Sequence, residues 1–423
     1  HRRCPLRPFE MRGVGQTSPE GHIRAGIARR GQVTFAEFME VALYHRSGGY
    51  YALGASDGVC RDYFTSPEAH PAFGALIAVQ LWRMWEVMGR PSSLYAIEMG
   101  AGGGLLARDV VKYADELPGP FQEALRYIAI DRSLGYAERD QSPSAFQRIV
   151  ASGIPLRGVT GCLLSNEMVD SFPVHRFQIQ NGTLKEVFVT VRDGQFVEVL
   201  GEPSTPLLAH RLDGLGLSLS EGYQGEVNLE IGPWMAEVAG ALKSGFVLTI
   251  DYGYEAPELY SPQRVDGTVQ TYHRHSQTAG PFRRIGVQDI TAHVDFSSVA
   301  SEGGTVGLRP LGLLTQSQYL CGLGLDRWLR RLRTEGLTQR ERNANMMGMR
   351  ELVGPDGLGG FKVLVQEKGL GSLDLGLLAP SEAPMDALPL PLVRPDHIPL
   401  MEGRYPHAGL QWEELWPQGE EQT

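Results

Sequence analysis

The chain has 423 residues, of which 42% are hydrophobic and 21% are charged, which is typical of a globular protein and long enough for two or three domains. Its formal net charge of −10 argues against a nucleic-acid-binding surface as the main function. The four cysteines lack Cys-x-x-Cys spacing, which argues against a zinc knuckle or a disulfide framework and favours a reducing compartment. No run of 18 apolar residues is present, so the sequence predicts no membrane span.

The first residues, HRRCPLRPFEMR, are rich in arginine and poor in acids, as targeting peptides often are. The stretch is short, however, and has no amphipathic helical pattern, so translated upstream sequence before a natural start at Met11 is the better interpretation. Residues 1–21 are therefore predicted to be unstructured. Because no convincing transit peptide is found, we expect a bacterial cytoplasmic location, or the mitochondrial matrix if the protein is eukaryotic.

Residues 22–92 are predicted to form a helical N-terminal cap. The segment VTFAEFMEVALYH has apolar residues at helical spacing behind Thr34, which is a typical N-cap residue. A glycine-tyrosine turn follows, then the loop DYFTSPE and a second amphipathic helix that is predicted to end near Met88. On residue types alone, Tyr50 and Tyr51 are packing aromatics of this cap.

The stretch LYAIEMGAGGGLLARD, from Leu94 to Asp109, predicts a buried strand, a glycine turn and the start of a helix. The strand ends at Glu98, and the alternating glycines that follow are Gly100, Gly102 and Gly104. Glycines allow a ligand to approach the backbone, and a helix N-terminus offers N–H groups to a polar or anionic ligand. An ordinary strand-to-helix turn is the alternative.

A second strand is predicted to run from Tyr127 to Ile130 and to end at Asp131. A carboxylate there can accept two hydrogen bonds from a vicinal diol such as that of a ribose. Asp131 could instead cap the helix-like stretch that follows. The spacing of the preceding glycines disfavours a dinucleotide, because the third glycine of that fingerprint would fall on Leu105.

A short buried strand from Gly161 to Ser165 is followed by Asn166, Glu167 and Asp170. In an open α/β sheet, ligands bind outside the carboxyl ends of the strands, so these side chains are candidates for chemistry. The two carboxylates could bind a guanidinium, because a carboxylate can accept two parallel hydrogen bonds from its planar N–H groups. Alternatively, Asn166 and Asp170 cap a helix and Glu167 is solvated.

A β meander is predicted from Val174 to Leu200, because Asn-Gly and Asp-Gly turns separate its strands. Together with residues 201–225 and 252–288, it is predicted to form an inserted region that shapes a substrate cleft. The segment EVNLEI, a helix from Pro233 to Lys243 and FVLTID predict a further strand-helix-strand unit. This unit places Asp251 and Tyr252 at a strand end that faces the cleft.

Three histidines, His273, His275 and His293, follow in the chain close to Asp289. This group could suggest a metal site, but no fourth ligand lies at a motif spacing, so no metal is predicted. The histidines are interpreted as polar walls of the substrate cleft or as satisfied structural residues. Farther along, an arginine-rich stretch is predicted to be helical, with its arginines on a solvated face. The segment FKVLVQ is predicted to be the last strand. Residues 369–423 are rich in proline and are predicted to form an extended tail that is disordered or lies on the surface.

Several separated blocks, in this order and spacing, resemble the MidA-like family of S-adenosylmethionine-dependent methyltransferases, whose mitochondrial members are assembly factors for respiratory complex I. The resemblance runs from about Val33 to Glu367. The blocks are TFAEFM at 34–39, GGYY at 48–51, DYFTSPE at 62–68, the glycine turn, SNEMVDSFP at 165–173, DYGY at 251–254, DITAHVDF at 289–296, TQ at 315–316 and GGFKVL at 359–364.

This resemblance implies an α/β fold, with a Rossmann-like class I methyltransferase sheet at 93–368 that carries the N-terminal helical cap and the inserted β/substrate region. It implies S-adenosyl-L-methionine as cofactor, with contacts from Glu98, Gly100, Gly102, Gly104, Asp131, Phe64, Thr65, Ser66 and Asn166. Glu167 and Asp170 become candidate catalytic residues, and Asp251, Tyr252, His273, His275 and His293 become candidate substrate-binding residues. The implied reaction is methylation of an arginine in a protein substrate, with a respiratory-complex subunit as the candidate, by an enzyme that could be a homodimer.

The sequence departs from the family pattern at the glycine turn, where Ala101 and Gly103 replace a proline and a bulkier residue and are expected to loosen the turn. Asp131 is one methylene shorter than the usual glutamate, and the segment AGPFRRIG at 279–286 is atypical. A cofactor-binding assembly or scaffold protein without turnover is one alternative. A NAD-dependent oxidoreductase is the other, which the glycine spacing disfavours.

Overall fold

The structure is a computed structural model that describes residues 18–53, 65–133, 146–273, 276–371, 385–393 and 397. Within these ranges, every helix is too short or too polar to span a lipid bilayer. The helices are α1 Pro19–Arg30, α2 Phe35–Tyr44, α3 Tyr50–Leu53, α4 Ser66–Ala69, α5 Ala72–Val87, α6 Leu105–Ala114, α7 Gly119–Ala124, α8 Pro206–Asp213, α9 Ile231–Ala241, α10 Ala256–Leu259, α11 Phe296–Thr305, α12 Gln316–Leu323, α13 Leu325–Arg331 and α14 Gln339–Glu351.

The strands are β1 Val33–Thr34, β2 Leu94–Met99, β3 Leu125–Asp131, β4 Gln147–Val150, β5 Val159–Asn166, β6 His175–Gln180, β7 Thr183–Arg192, β8 Gln195–Gly201, β9 Gln224–Val227, β10 Leu242–Asp251, β11 Gly253–Tyr254, β12 Gln270–His273, β13 Ser276–Gln277, β14 Asp289–Thr291, β15 Val294–Asp295, β16 Arg309–Thr315 and β17 Lys362–Lys368. A short 3-10 turn at Val169–Ser171 follows β5.

The central sheet has seven strands in the order β16-β17-β10-β5-β2-β3-β4. Its strands are parallel except β17, which pairs antiparallel with both β10 and β16. Alternate residues of β2 point to opposite faces, so that Ala96 packs with α5, α6 and the C-terminal helices, while Ile97 packs with α9 and α11. The sheet is therefore covered by helices on both faces, which confirms the α/β Rossmann-like fold class.

The N-terminal cap begins earlier than the sequence suggested. Helix α1 starts at Pro19, within the stretch that was predicted to be unstructured, and Ser18 caps it by accepting a hydrogen bond from the Gly21 N–H. Ser-Pro is a good helix start, and this signal was missed. Helix α2 was predicted correctly, and Thr34 and Glu37 form a reciprocal capping box.

A second sheet, of five strands, packs beside α2 and contains the predicted meander β6-β7-β8. Strand β9 belongs to this sheet, because it pairs antiparallel with β6 from His175 to Gln178. The prediction that EVNLEI opens a strand-helix-strand unit of the central sheet is therefore wrong. β-propensity indicated a strand, but it carries no information about the partner strand.

The proline-rich tail is also more ordered than predicted where the structure describes it. Met385 and Val393 are 0% and 1% exposed, and the hydroxyl of Tyr113 on α6 donates to the Pro389 carbonyl at 2.8 Å. The guanidinium of Arg331 donates to the Met385 and Leu388 carbonyls. This segment thus lies against α6 and α13 as part of the core rather than as a loose surface tail.

Candidate active site

Four parallel strands end side by side at one edge of the central sheet. Met99 of β2 lies opposite Ile130 of β3 and Ser165 of β5, and Asn166 lies opposite Ile250 of β10. The residues that follow these strands are the glycine turn, Asp131, the segment 166–170 and Asp251–Tyr252. The structure therefore brings together the strand-end residues that the sequence singled out, as the rule for open α/β sheets requires.

The glycine turn has left-handed backbone angles that only glycine adopts without strain. Gly100, Gly102 and Gly104 have φ of 69°, 50° and 70°. A Cβ on Gly100 would lie 2.8 Å from Met168 Cγ, and one on Gly104 would lie 2.6 Å from Arg148 Nη2, whereas a Cβ on Gly102 would meet no described atom within 4 Å. The turn is thus packed on two sides and open at its middle glycine.

Hydrogen bonds hold the turn despite Ala101 and Gly103. The Ala101 N–H donates to the Ile130 carbonyl at 3.1 Å, and the Gly102 N–H donates to Asp131 Oδ2 at 2.9 Å. Arg148 of β4 donates from Nη2 to the Gly103 carbonyl at 3.1 Å. Neighbouring strands therefore brace a turn whose own sequence was expected to loosen it.

Glu98 lies beneath the turn and is 4% exposed. The hydroxyl of Tyr127, from the adjacent strand, donates to its Oε2 at 2.9 Å. Burial raises the pKa of Glu98 to about 8, and the hydrogen bond from Tyr127 only partly offsets this increase. The carboxyl is therefore mostly protonated at neutral pH and can donate as well as accept a hydrogen bond.

Glu167 has a φ of 50°, which is unusual for a residue with a side chain. Its N–H donates to the Ile250 carbonyl of β10 at 2.9 Å. Its Oε1 accepts hydrogen bonds from the Ser66 N–H and from the Asn166 amide, both at 3.0 Å. Strained backbone of this kind is often found at functional sites, so its occurrence at a candidate catalytic glutamate supports that assignment.

Asp170 is 7% exposed and lies in the 3-10 turn after β5. The Tyr252 hydroxyl donates to its Oδ2, while its buried Oδ1 has no well-aligned hydrogen bond among the described residues. Burial raises the pKa of Asp170 to about 6, and the bond from Tyr252 opposes this shift. The N–H groups of Ser171 and of Asp170 itself oppose the shift further, so Asp170 is a carboxylate at neutral pH.

Asp251 is fully buried and accepts four backbone hydrogen bonds. Its Oδ2 accepts from the N–H groups of Met168, Val169 and Asp170 at 3.1, 2.9 and 3.3 Å, and its Oδ1 accepts from the Tyr252 N–H at 2.9 Å. Burial and the neighbouring Asp170 raise the pKa of Asp251, but a proton on it would face only N–H donors. Its contacts thus support a role in shaping the 168–170 turn, and direct substrate binding stays a prediction.

Aromatic rings pack around Tyr252, whose hydroxyl donates to Asp170. The His293 ring lies 5.4 Å, between ring centres, from both Tyr252 and Tyr254, and Phe361 lies at the same distance from Tyr252. Burial, with a smaller contribution from Arg264, lowers the pKa of His293 to about 4. Its Nδ1 is buried and has no partner in the described part of the chain. In the neutral tautomer that carries its proton on Nε2, this nitrogen is an acceptor.

The remaining predicted residues are placed as follows. His273 donates from Nδ1 to the Val287 carbonyl at 2.8 Å, which uses this nitrogen within its own loop. Ser66 is fully buried at the start of α4, and the Thr65 N–H donates to Glu68 Oε2 at 3.1 Å. Phe64 and His275 lie outside the described residues.

Residues that sequence reasoning did not assign to the site also contact it. The Tyr44 hydroxyl donates to the Ser171 carbonyl at 2.9 Å, and Gln316 accepts from the Ser66 hydroxyl at 3.0 Å. Arg148 contacts the Gly103 carbonyl of the glycine turn, and Tyr127 contacts Glu98. Only Gln316 had a signal in the sequence, because it lies in the Thr-Gln block.

Comparison with known proteins adds an independent finding. Residues 76–314 match the model of a family described as "Putative S-adenosyl-L-methionine-dependent methyltransferase". A crystal structure of a Burkholderia thailandensis protein, described as a "likely methyl transferase" and bound to S-adenosyl-homocysteine, is 26% identical, with a TM-score of 0.76 over 90% of this chain and 99% of that one.

Curated relatives carry mitochondrial names. The Drosophila melanogaster protein arginine methyltransferase NDUFAF7 homolog is 27% identical over 69% of this chain and 72% of its own length. The Homo sapiens protein arginine methyltransferase NDUFAF7 is 26% identical over 80% of both chains. These similarities extend well beyond the glycine turn and the strand ends described above.

Proposed function

Because the chain belongs to this family of S-adenosyl-L-methionine-dependent methyltransferases, we propose that it transfers methyl groups from that cofactor to an arginine of a protein substrate. The observation that supports arginine is the buried carboxylate of Asp170, whose Oδ1 has no well-aligned hydrogen bond among the described residues. Asn166 Oδ1 and His293 Nδ1 are also buried and unpartnered within the described ranges, and their residues adjoin Glu167 and Tyr252. Such a group of acceptors suits a guanidinium, which has five N–H donors and no acceptor.

The glycine turn and Asp131 fit the cofactor. A Cβ on Gly102 would meet nothing within 4 Å among the described atoms, so the turn offers an open backbone face. Asp131 uses one lone pair on each oxygen for the Gly102 and Ser133 N–H groups, and a carboxylate has about four acceptor sites. Two acceptor positions therefore remain for the ribose hydroxyls. The candidate contacts Glu98, Gly100, Gly104, Phe64, Thr65 and Asn166 complete this proposal.

The chemistry that the protein supplies is alignment and charge stabilisation. When bound, S-adenosyl-L-methionine supplies a methyl group on a positively charged sulfur. Glu167 and Asp170 would hold the positive charge of the guanidinium on two of its nitrogens and so leave a lone pair on the third. Methylation of that nitrogen would replace the bond between sulfur and methyl by one between nitrogen and methyl, with S-adenosyl-homocysteine as the leaving group. The attacking nitrogen then loses a proton, which Asp170 can accept because burial raises the pKa of Asp170 to about 6.

The substrate and the location follow from the relatives by analogy. Relatives named as mitochondrial protein arginine methyltransferases support a protein acceptor, and a subunit of a respiratory complex is our candidate. The location would be the mitochondrial matrix in a eukaryote and the cytoplasm in a bacterium, and a homodimer is our expected assembly. Tyr252 and His293 would line the acceptor pocket, while Asp251, His273 and His275 remain weaker candidates.

The test measures methyl transfer from labelled cofactor to matched peptides that carry arginine or lysine at one position. We expect methylarginine by mass spectrometry. We also expect Glu167→Gln to lower turnover about 100-fold, which is typical when one charge-stabilising group is lost. Its affinity for S-adenosyl-homocysteine should stay within a few-fold of wild type.

Glu123→Gln is the matched control, because Glu123 is exposed on α7. Methylation of lysine alone would overturn the choice of acceptor. Full turnover in Glu167→Gln would overturn the role of that carboxylate.

A further inference from the structure

Gln316, the first residue of α12, is fully buried, and its backbone N–H and both side-chain polar atoms have hydrogen-bond partners. Its N–H donates to the Phe361 carbonyl at 2.7 Å, and its Nε2 donates to the Leu352 carbonyl at 3.0 Å. Its Oε1 accepts from the Ser66 hydroxyl at 3.0 Å. The side chain therefore has one orientation, because rotating the amide would place its NH2 group against Ser66 and its oxygen against a carbonyl.

Ser66 connects this amide to the candidate catalytic residue. It is fully buried, and its N–H donates to Glu167 Oε1 at 3.0 Å. The Asn166 amide donates to the same oxygen, also at 3.0 Å. A chain of hydrogen bonds therefore runs from Gln316 through Ser66 to Glu167, and it joins the C-terminal helices to the carboxyl end of β5.

We propose that Gln316 and Ser66 are positioning residues, which fix the carboxylate of Glu167 in its reactive orientation. This inference rests on the proposed function, because it assumes that Glu167 contacts the acceptor. Two donors to Oε1, from the Ser66 N–H and the Asn166 amide, hold that oxygen in one position at the end of β5. Small displacements of a charge-stabilising group cost large factors in rate, so the chain of bonds acts on turnover rather than on cofactor affinity.

Ser66 is then a positioning residue and not a cofactor contact. The resemblance made Ser66 a candidate cofactor contact, whereas both of its described polar contacts are to protein groups. The positioning role also gives the Thr-Gln block a function that the sequence alone did not suggest. Thr315 caps α12 by accepting from the Gln318 N–H, and this cap places Gln316 at the first turn of the helix.

The first experiment compares Ser66→Pro with Ser66→Ala. Proline is tolerated at the first position of a helix, and Thr65 already has extended angles, with φ of −83° and ψ of 163°. Ser66→Pro removes the N–H that binds Glu167, whereas Ser66→Ala retains it. We expect Ser66→Pro to lower kcat at least 10-fold below Ser66→Ala, with the Kd for S-adenosyl-homocysteine unchanged in both variants. Equal kcat values for the two variants would overturn the inference.

A double-mutant cycle with Glu167→Ala separates positioning from general damage. If Ser66 acts through Glu167, Ser66→Pro has no further effect on the residual turnover of Glu167→Ala, measured in single-turnover assays. An additive loss would contradict the inference. Full turnover in Glu167→Ala itself would instead overturn the proposed function, so the two failures are distinguishable.

A second cycle tests the bond between Ser66 and Gln316. Gln316→Met keeps a similar volume and removes the acceptor of the Ser66 hydroxyl. Both variants break the bond between Ser66 and Gln316, and Gln316→Met also removes the bond to the Leu352 carbonyl. We therefore expect at least as large a drop in kcat from Gln316→Met as from Ser66→Ala, and no further drop when Ser66→Ala is added to Gln316→Met. Melting temperatures identify any global destabilisation, and additive effects on kcat would show that Gln316 does not act through Ser66.

Discussion

His397 Nε2 lies 2.9 Å from Asp109 Oδ2, and both side chains are buried, at 0% and 1% exposure. Asp109 is on α6, the helix that begins after the glycine turn, so this contact ties a residue of the C-terminal tail to the proposed cofactor site. Nearby, Asn345 Oδ1 accepts from the Val393 N–H at 2.8 Å and lies 3.0 Å from His70 Nε2. The C-terminal segment is thus hydrogen-bonded to α6 and to α14.

Replacing His397 with alanine should destabilise the protein by about 2 kcal/mol, because it removes a buried hydrogen bond to a carboxylate. Chemical denaturation measures this free energy of unfolding. His397→Gln retains a donor and should restore part of it, while His210→Ala, at an exposed histidine of α8, serves as the control. An unchanged unfolding midpoint in His397→Ala would show that the contact between His397 and Asp109 contributes little to the stability of the protein.

Asp131→Ala should weaken the binding of S-adenosyl-L-methionine and S-adenosyl-homocysteine at least 10-fold. The substitution removes both the acceptor for the ribose hydroxyls and the bond that holds the Gly102 N–H. Calorimetric titration of wild type, Asp131→Ala and Asp213→Ala, an exposed control, measures the effect. Wild-type affinity in Asp131→Ala would refute the assignment. Cofactor binding by the wild type without transfer to any peptide would favour a scaffold role.

Tyr252→Phe should move the acidic limb of the turnover profile to higher pH. Burial raises the pKa of Asp170 to about 6, and the hydrogen bond from Tyr252 stabilises its ionised form. Removing that bond raises the pKa further, so the carboxylate is lost at a higher pH as acid is added. The measurement is kcat against pH between about 5 and 9, with stability checked at each pH. Superimposable profiles would show that Asp170 does not control this limb.

Arg148→Ala should weaken cofactor binding several-fold without changing the acceptor preference. Arg148 braces the glycine turn through the Gly103 carbonyl, and its guanidinium fills the space next to Gly104. Arg126→Ala is the matched control, because Arg126 lies at the opposite end of the neighbouring strand and its hydrogen bonds within the described residues are to local carbonyls. Equal cofactor affinities of the two variants would show that the glycine turn keeps its conformation without Arg148.

The strand ends could be predicted from the sequence because the signals are local. A buried apolar run followed by an acid or a glycine turn is visible within about ten residues, and it placed Glu98, Asp131 and Glu167 on neighbouring strands. The bonds that orient these side chains are not local. Gln316 lies 250 residues from Ser66, and Tyr127 belongs to a different strand from Glu98. No periodicity specifies such partners.

The two main errors in the fold have the same origin. Residues 226–231 were predicted to be a strand of a strand-helix-strand unit, but the observed strand covers 224–227 and joins the second sheet, because pairing depends on tertiary contacts. The tail has many prolines and no helical or strand period, so composition predicted an exposed segment. Its buried side chains, such as Met385, enter the core one at a time. Isolated buried residues leave no repeating hydrophobic pattern in a sequence.

The position of β17 has a consequence for folding during synthesis. This last strand, Lys362–Lys368, lies between β10 and β16, which in the described residues have no direct pairing with each other. Until the ribosome has released residues 362–368, β10 has an unpaired edge and β16 has no partner in the sheet. Unpaired edges of this kind favour aggregation, so a chain truncated just before β17 should require chaperones or be degraded.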